Sequence, residues 1–291
     1  MASVAVTLAT MLRPSVTRPY VEVDVFTAVP YRGNPLAVVL DGTGLSTEGM
    51  QQFANWTNFP ETTFLLPPTD PAADYLVRIF TTTVELPFAG HPTLGSCHAW
   101  LANGGVPKNS DRIVQQCNVG LVEIQRDGSR LAFAAPPLLR HGPLDAATLQ
   151  AAADALGIDL ASVIDSAWID NGPGWLGILL GSAQEVLAIT MGRSDLKIGV
   201  FGAHPAGSAA AYEVRGFFPE GATLMEDPVT GSLNASAAQW LIGAGRFTAP
   251  YIATQGTALG RAGQAYVSQD PAGQVWVGGD VVTCVSGTVD L

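Results

Sequence analysis

The chain has 291 residues, 47% of them hydrophobic and only 13% charged, the composition of a folded protein with enough length for two domains. Against 14 Lys+Arg stand 25 Asp+Glu, a net charge of −11 with no basic cluster, which argues against nucleic-acid binding through phosphate contacts. No apolar stretch reaches the length of a membrane span. Cys97, Cys117 and Cys284 fit neither a disulfide framework nor a zinc spacing, so a reducing, cytoplasmic setting is the default.

In chain order, residues 1–19 read as a poorly ordered leader, mildly apolar but without a basic n-region or a cleavage site. Alternation of Val21, Val23 and Val25 with polar residues predicts a strand, and Pro35–Leu40 predicts another. Ser46 is a good N-cap for a helix over Thr47–Thr57. Strands follow at Thr62–Leu66, Tyr75–Thr82 and Arg112–Cys117, and Asp127-Gly128 marks a hairpin turn. An alanine-rich helix over Leu144–Leu156 ends at Gly157, and Trp175–Leu180 reads as a strand. A Pro-Ala-Gly turn at 271–273 makes a second hairpin, and Val281–Val285 forms a last strand.

One motif occurs twice. "ELPFAGHPTLG" around position 90 and "EDPVTGSLNAS" around position 230 keep Glu85/Glu226, Pro87/Pro228, Gly90/Gly231 and His91/Ser232 at one constant separation in sequence. A Val-Arg pair with a following Phe precedes each copy, at Val77, Arg78 and Phe80 and at Val214, Arg215 and Phe217. Each copy opens a predicted helix, about Pro92–Ala102 and Ser232–Ile242, built of small residues with no charged face. A helix without a polar side belongs inside a curled sheet. The fold class is therefore α+β, with two similar lobes, each a barrel-like sheet around one central helix, and the working site lies in the interlobe cleft. The boundaries read as 1–19 leader, 20–138 first lobe, 139–278 second lobe, and a strand over 279–291 that crosses back to the first.

Glycine at a strand-to-helix junction lets a ligand approach unpartnered helix-start N–H groups, so Gly90 and Gly231 are candidates for gripping a carboxylate. The copies differ where chemistry would differ. His91 faces Ser232 in the alignment, and Leu86 faces Asp227. Glu61, in "NFPETTFLL", opens a buried strand, where burial would raise its pKa and suit it to accept and return a proton. Each residue alone also fits a structural role: a tight turn for the glycines, an N-cap for Ser232, a core histidine for His91, a solvated acidic pair for Asp227, a surface strand end for Glu61. No nucleophile elbow, metal-binding histidine cluster or dinucleotide-binding glycine pattern is present.

Together "VDVFTAVPYRGNPLAVVL", "ETTFLLPP", "VELPFAGHPTLG", "EDPVTGS" and the closing "TQGTALGRAGQAYVSQDPAGQVWVGGDVV" resemble the PhzF-like family over about Tyr20–Leu291. The resemblance implies the diaminopimelate-epimerase-like fold, cofactor-free proton transfer in the cleft, and a homodimer. By motif it carries the proton-shuttling glutamate onto Glu61, the "GHP" histidine onto His91, the "EDPxTGS" aspartate and serine onto Asp227 and Ser232, and the anion-binding glycines onto Gly90 and Gly231. The wider superfamily has a cysteine pair at the two helix starts. Here His91 and Ser232 occupy those places, which excludes a two-thiol racemase. The sequence thus predicts a cofactor-independent isomerase acting on a small carboxylate-bearing metabolite. An epimerase or a ring-forming enzyme of secondary metabolism on the same scaffold is one alternative, and a non-catalytic small-molecule-binding protein is the other.

Overall fold

The computed structural model describes residues 15–221 and 223–291. The first lobe contains β1 (Thr17–Val25), β2 (Asn34–Val39), α1 (Thr47–Thr57), β3 (Glu61–Leu66), β4 (Tyr75–Phe80), β5 (Glu85–Leu86), α2 (Gly90–Ala102), β6 (Arg112–Cys117), β7 (Gly120–Asp127) and β8 (Arg130–Ala134). The second contains β9 (Arg140–Pro143), α3 (Ala146–Leu156), β10 (Asp165–Asp170), β11 (Trp175–Leu180), α4 (Ala183–Leu187), β12 (Lys197–Ala203), β13 (Tyr212–Glu220) and β14 (Thr223–Asp227). It continues with α5 (Gly231–Gly243), β15 (Tyr251–Gln255), β16 (Gly263–Gln269) and β17 (Val275–Gly279), and β18 (Val281–Asp290) ends the chain.

Strand pairing exposes the repeat. From one edge the sheet runs β18-β1-β2-β3-β4-β6-β7-β8 and continues through β17-β16-β15-β13-β12-β11-β10 to β9. Short β5 lies against β4, as β14 lies against β13. The parallel steps fall at equivalent places, β2/β3 and β4/β6 in one lobe, β11/β12 and β13/β15 in the other. Antiparallel β8/β17 pairing is the seam, β18 from the end of the chain crosses back to pair with β1 of the first lobe, and β9 closes the second lobe on β10. The bounds of α5 are those of α2 shifted by the separation of the two motif copies, and the same shift carries β2 onto β11.

Small residues put α2 and α5 inside. A Cβ on Gly95 would come within 2.5 Å of Leu36 and 3.0 Å of Val25, so only glycine lets β1 and β2 approach the helix. Leu94 and Leu233 are fully buried in one continuous core that spans both lobes. The outer helices are ordinary amphipathic ones. Met50, Phe53 and Ala54 of α1 pack on Val39, Phe64 and Phe80, while Ala152, Ala155 and Leu156 of α3 cover Leu176, Ile178 and Val200.

Three details differ from the sequence reading. The expected leader is shorter, because β1 begins at Thr17: Arg18 is buried and donates to the carbonyls of Asp41 and Thr43. Residues 1–14 of that leader lie outside the described residues. Both central helices begin at the motif glycine itself, two positions earlier than Pro92 and one earlier than Ser232. Helix α4 has no counterpart among the predicted elements, although Ser182 and Glu185 form a capping box there.

Candidate active site

The duplicated Arg and Glu prove to be mutual partners. Arg78 donates to both Glu85 carboxylate oxygens (2.8 and 2.6 Å), and Arg215 does the same to Glu226 (3.1 and 2.7 Å). These forks tie β4 to β5 and β13 to β14, so each chain segment reaches its glycine in the same geometry.

At that point the two helix starts touch. A Cβ on Gly231 would lie 2.9 Å from Gly90 Cα and 3.0 Å from His91 N, and one on Gly90 would lie 2.7 Å from the Phe133 ring. The close approach, not a positive φ, demands glycine at both places. Neither N-cap residue, Ala89 or Thr230, caps its helix through its side chain. The first-turn N–H groups of both helices therefore converge on one point with both positive dipole ends.

Around this point lie three titratable groups. Glu61, first residue of β3, is 17% exposed overall, yet its Oε2 is buried and sits 3.5 Å from Nε2 of buried His91. Neither atom has a hydrogen-bond partner among the described residues. Burial, reinforced by the negative charge of Asp227, raises Glu61 to about 8. Burial lowers His91 to about 3, against the opposing bond to the Pro35 carbonyl. His91 Nε2 faces Glu61 Oε2, and its Nδ1 lies 3.5 Å from Asn34 Nδ2. The spacing alone would suggest an ion pair; desolvation makes it a neutral carboxyl beside a neutral imidazole.

Asp227 is held differently. Its Oδ1 accepts from Asn34 Nδ2 at 3.0 Å and its Oδ2 from the Thr230 hydroxyl at 2.7 Å. Burial raises it to about 6, restrained by those two bonds, so it remains a carboxylate at neutral pH while Glu61 is mostly protonated. Asn34 also donates to the Val229 carbonyl (2.9 Å) and lies 3.5 Å from His91 Nδ1, which joins the first lobe to the second.

Ser232 neighbours this cluster through the helix-start contact, but its side chain turns to a different partner. Its Oγ accepts from the Trp175 indole at 3.0 Å, and its carbonyl accepts from Asn171 Nδ2 at 2.9 Å. The structure thus brings Glu61, His91, Asp227, Gly90 and Gly231 together and sets Ser232 at their edge. Sequence reasoning missed Asn34, Thr230 and Trp175. A signal existed, because Asn34 and Trp175 stand at the same separation as the two motif copies and each opens the equivalent strand.

The equivalences also show what the second lobe lacks. Leu36 pairs with Glu61, and Gly177, which the motif spacing aligns with Leu36, pairs with Gly199. Counted from this side Gly199 stands where Glu61 stands, and counted from the β4/β13 side, where Thr62 pairs with Phe80 and Ile198 with Phe217, Lys197 does, so neither count puts an acid there. A Cβ on Gly199 would be 2.4 Å from Leu233, so that position has no space for a side chain.

Comparison with known proteins agrees with this architecture. The sequence profile of the family described as "Phenazine biosynthesis-like protein" matches residues 23–287. Antisense-enhancing sequence 1 of Schizosaccharomyces pombe is 37% identical, covering 91% of this chain and 96% of that protein. The trans-2,3-dihydro-3-hydroxyanthranilate isomerase of Pseudomonas fluorescens is 31% identical, covering 94% and 99%. Among solved structures, a Bacillus anthracis phenazine biosynthesis protein of the PhzF family superimposes with a TM-score of 0.79 at 20% identity, covering 94% and 99%. A hydroxyproline epimerase from Agrobacterium vitis shares the fold at a TM-score of 0.58 and 14% identity, covering 96% and 93%.

Proposed function

The chain belongs to the phenazine biosynthesis-like family and is an isomerase; from the site's geometry we propose that it moves a proton within a small carboxylate-bearing molecule, with Glu61 taking and returning that proton. The observation that carries the reading is a single buried carboxyl, raised to about 8 and aimed at a neutral imidazole, without a counterpart in the other lobe. A carbon acid near a carboxylate gives its proton to ionised Glu61. The electron pair left behind delocalises toward the substrate carboxylate, where helix-start N–H groups at Gly90 and Gly231 stabilise the developing charge. Glu61 then returns the proton to a second carbon, which regenerates the carboxylate and requires no cofactor. Asp227 and neutral His91 accept from the substrate's polar hydrogens and fix its pose, and Ser232 joins the grip on the carboxylate.

Such a carboxylate contributes roughly 10²–10⁴-fold as acid–base catalyst, the remainder coming from orientation and from the converging donors. A two-base epimerase would need a second acid facing Glu61, and neither Gly199 nor Lys197, the residues that the strand pairings make equivalent, supplies one. The test is turnover of trans-2,3-dihydro-3-hydroxyanthranilate, the compound named for the Pseudomonas relatives, in D₂O. Isomerisation with exchange of the migrating proton, lost in Glu61→Gln, is the result expected. Turnover unchanged in Glu61→Gln would remove that residue from the mechanism.

A further inference from the structure

The two strand-opening residues Asn34 and Trp175 occupy equivalent places and supply donors to opposite ends of the site. Asn34 gives its amide hydrogens to acceptors of the second lobe, Asp227 and the Val229 carbonyl. Trp175 gives its single indole hydrogen to Ser232 Oγ. The Trp175 side chain is buried, so its N–H needs a partner, and Ser232 is the one it has. A hydroxyl has one hydrogen and two lone pairs. With one lone pair engaged by the indole, the Ser232 hydrogen is left to point away from Trp175.

The surroundings restrict where that hydrogen goes. Thr230 gives its own hydroxyl hydrogen to Asp227, so the first turn of α5 is not capped from its N-cap. Asn171, from the loop that leads into β11, holds the Ser232 carbonyl, which fixes the backbone as the indole fixes the side chain. Asn171 in the loop and Trp175 at the start of β11 therefore hold Ser232 at two atoms. Arg78 and Arg215, the cations of the two motifs, are committed to Glu85 and Glu226, so an anion at this helix start is held by neutral donors whose aim decides its binding.

We propose that Trp175 is a positioning residue: its indole N–H holds Ser232 Oγ as an acceptor, so that the Ser232 hydroxyl is presented as a donor to the substrate carboxylate at the start of α5. The inference rests on the carboxylate-binding reading above and adds to it the residue that sets donor polarity in the second lobe. Phenylalanine at 175 keeps one aromatic ring and removes the indole N–H together with the five-membered ring that carries it. Ser232 is then free to turn its hydrogen elsewhere.

Calorimetric binding of anthranilate, a stable aromatic carboxylate, to four proteins tests this: the unaltered chain, Trp175→Phe, Ser232→Ala and the double variant. Each single change is expected to weaken binding about tenfold, the worth of one hydrogen bond to a charged group. The double variant is expected to bind no more weakly than Ser232→Ala, because Trp175 acts through Ser232. Binding by Trp175→Phe equal to that of the unaltered chain, or losses that multiply in the double variant, would overturn the proposal. An upfield shift of the Trp175 indole ¹H–¹⁵N resonance in Ser232→Ala reports the bond directly, and an unmoved resonance counts equally against it. Absence of anthranilate binding by the unaltered chain would overturn the carboxylate site and the Trp175 role together. Normal binding without proton exchange during turnover would instead strike only the isomerase reading.

Discussion

The two lobes share one scaffold and divide the chemistry unequally. At equivalent positions the first lobe carries Asn34, Leu86 and His91, and the second carries Trp175, Asp227 and Ser232, while Glu61 has no acidic counterpart in the second lobe. What is common to both is structural: the Arg–Glu fork, the helix of small residues and the glycine that lets the helix starts meet. What differs are the side chains around that meeting point. Duplication thus supplies a pair of converging helix dipoles, and divergence places the buried carboxyl of Glu61 on one side and the anchored carboxylate of Asp227 on the other.

The largest effect is expected where the lobes differ most. Glu61→Gln should lower turnover by roughly 10²–10⁴-fold while the thermal midpoint at neutral pH does not fall. Next come the equivalent forks. Arg215–Glu226 is almost wholly buried, whereas the Arg78 and Glu85 side chains are 22% and 20% exposed. Glu226→Gln should therefore cost about 3–5 kcal/mol in chemical denaturation and Glu85→Gln about 1 kcal/mol. Equal costs would deny that burial distinguishes the two lobes.

A smaller effect, about 1–3 kcal/mol of destabilisation, is expected for Gly199→Ala, since its Cβ must displace Leu233. The last effect depends on pH. Folded Glu61 keeps its proton up to about pH 8, whereas the unfolded chain releases it near 4.5. Folding takes up a proton between those values, so this residue makes stability fall as pH rises through that window. Glu61→Gln should accordingly raise the thermal midpoint by a few degrees at pH 9 and hardly at all at pH 4.5. His91 acts in the opposite sense: neutral in the fold down to about pH 3 and protonated near 6.5 when unfolded, it costs stability as pH falls below 6.5.

Much of this was legible in the sequence because it is periodic or locally encoded. Helix α1 has the predicted bounds with Ser46 as its cap, and β6 and β11 match theirs to the residue. The interior helices were readable from the lack of any charged face. What stayed hidden depends on contacts between distant segments. Asn34 looks like an ordinary strand-opening residue until Asp227, 193 positions later, is seen to accept from it. Nothing local marks Trp175 as a partner of Ser232 either. Five-residue α4 was too short for periodicity to register, even with its capping box. The shared role of Arg78 and Glu85, seven residues apart, emerges only when β4 and β5 pair.

The claim that one lobe alone carries the proton can be tested without any substrate. Carboxyl ¹³C NMR of the Glu61/Asp227 pair should give apparent pKa values near 8 and 6, the higher one disappearing in Glu61→Gln and moving to lower pH in Asp227→Asn, where the neighbouring negative charge is gone. A Glu61 carboxyl that titrates near 4.5 and ignores Asp227→Asn would contradict the account.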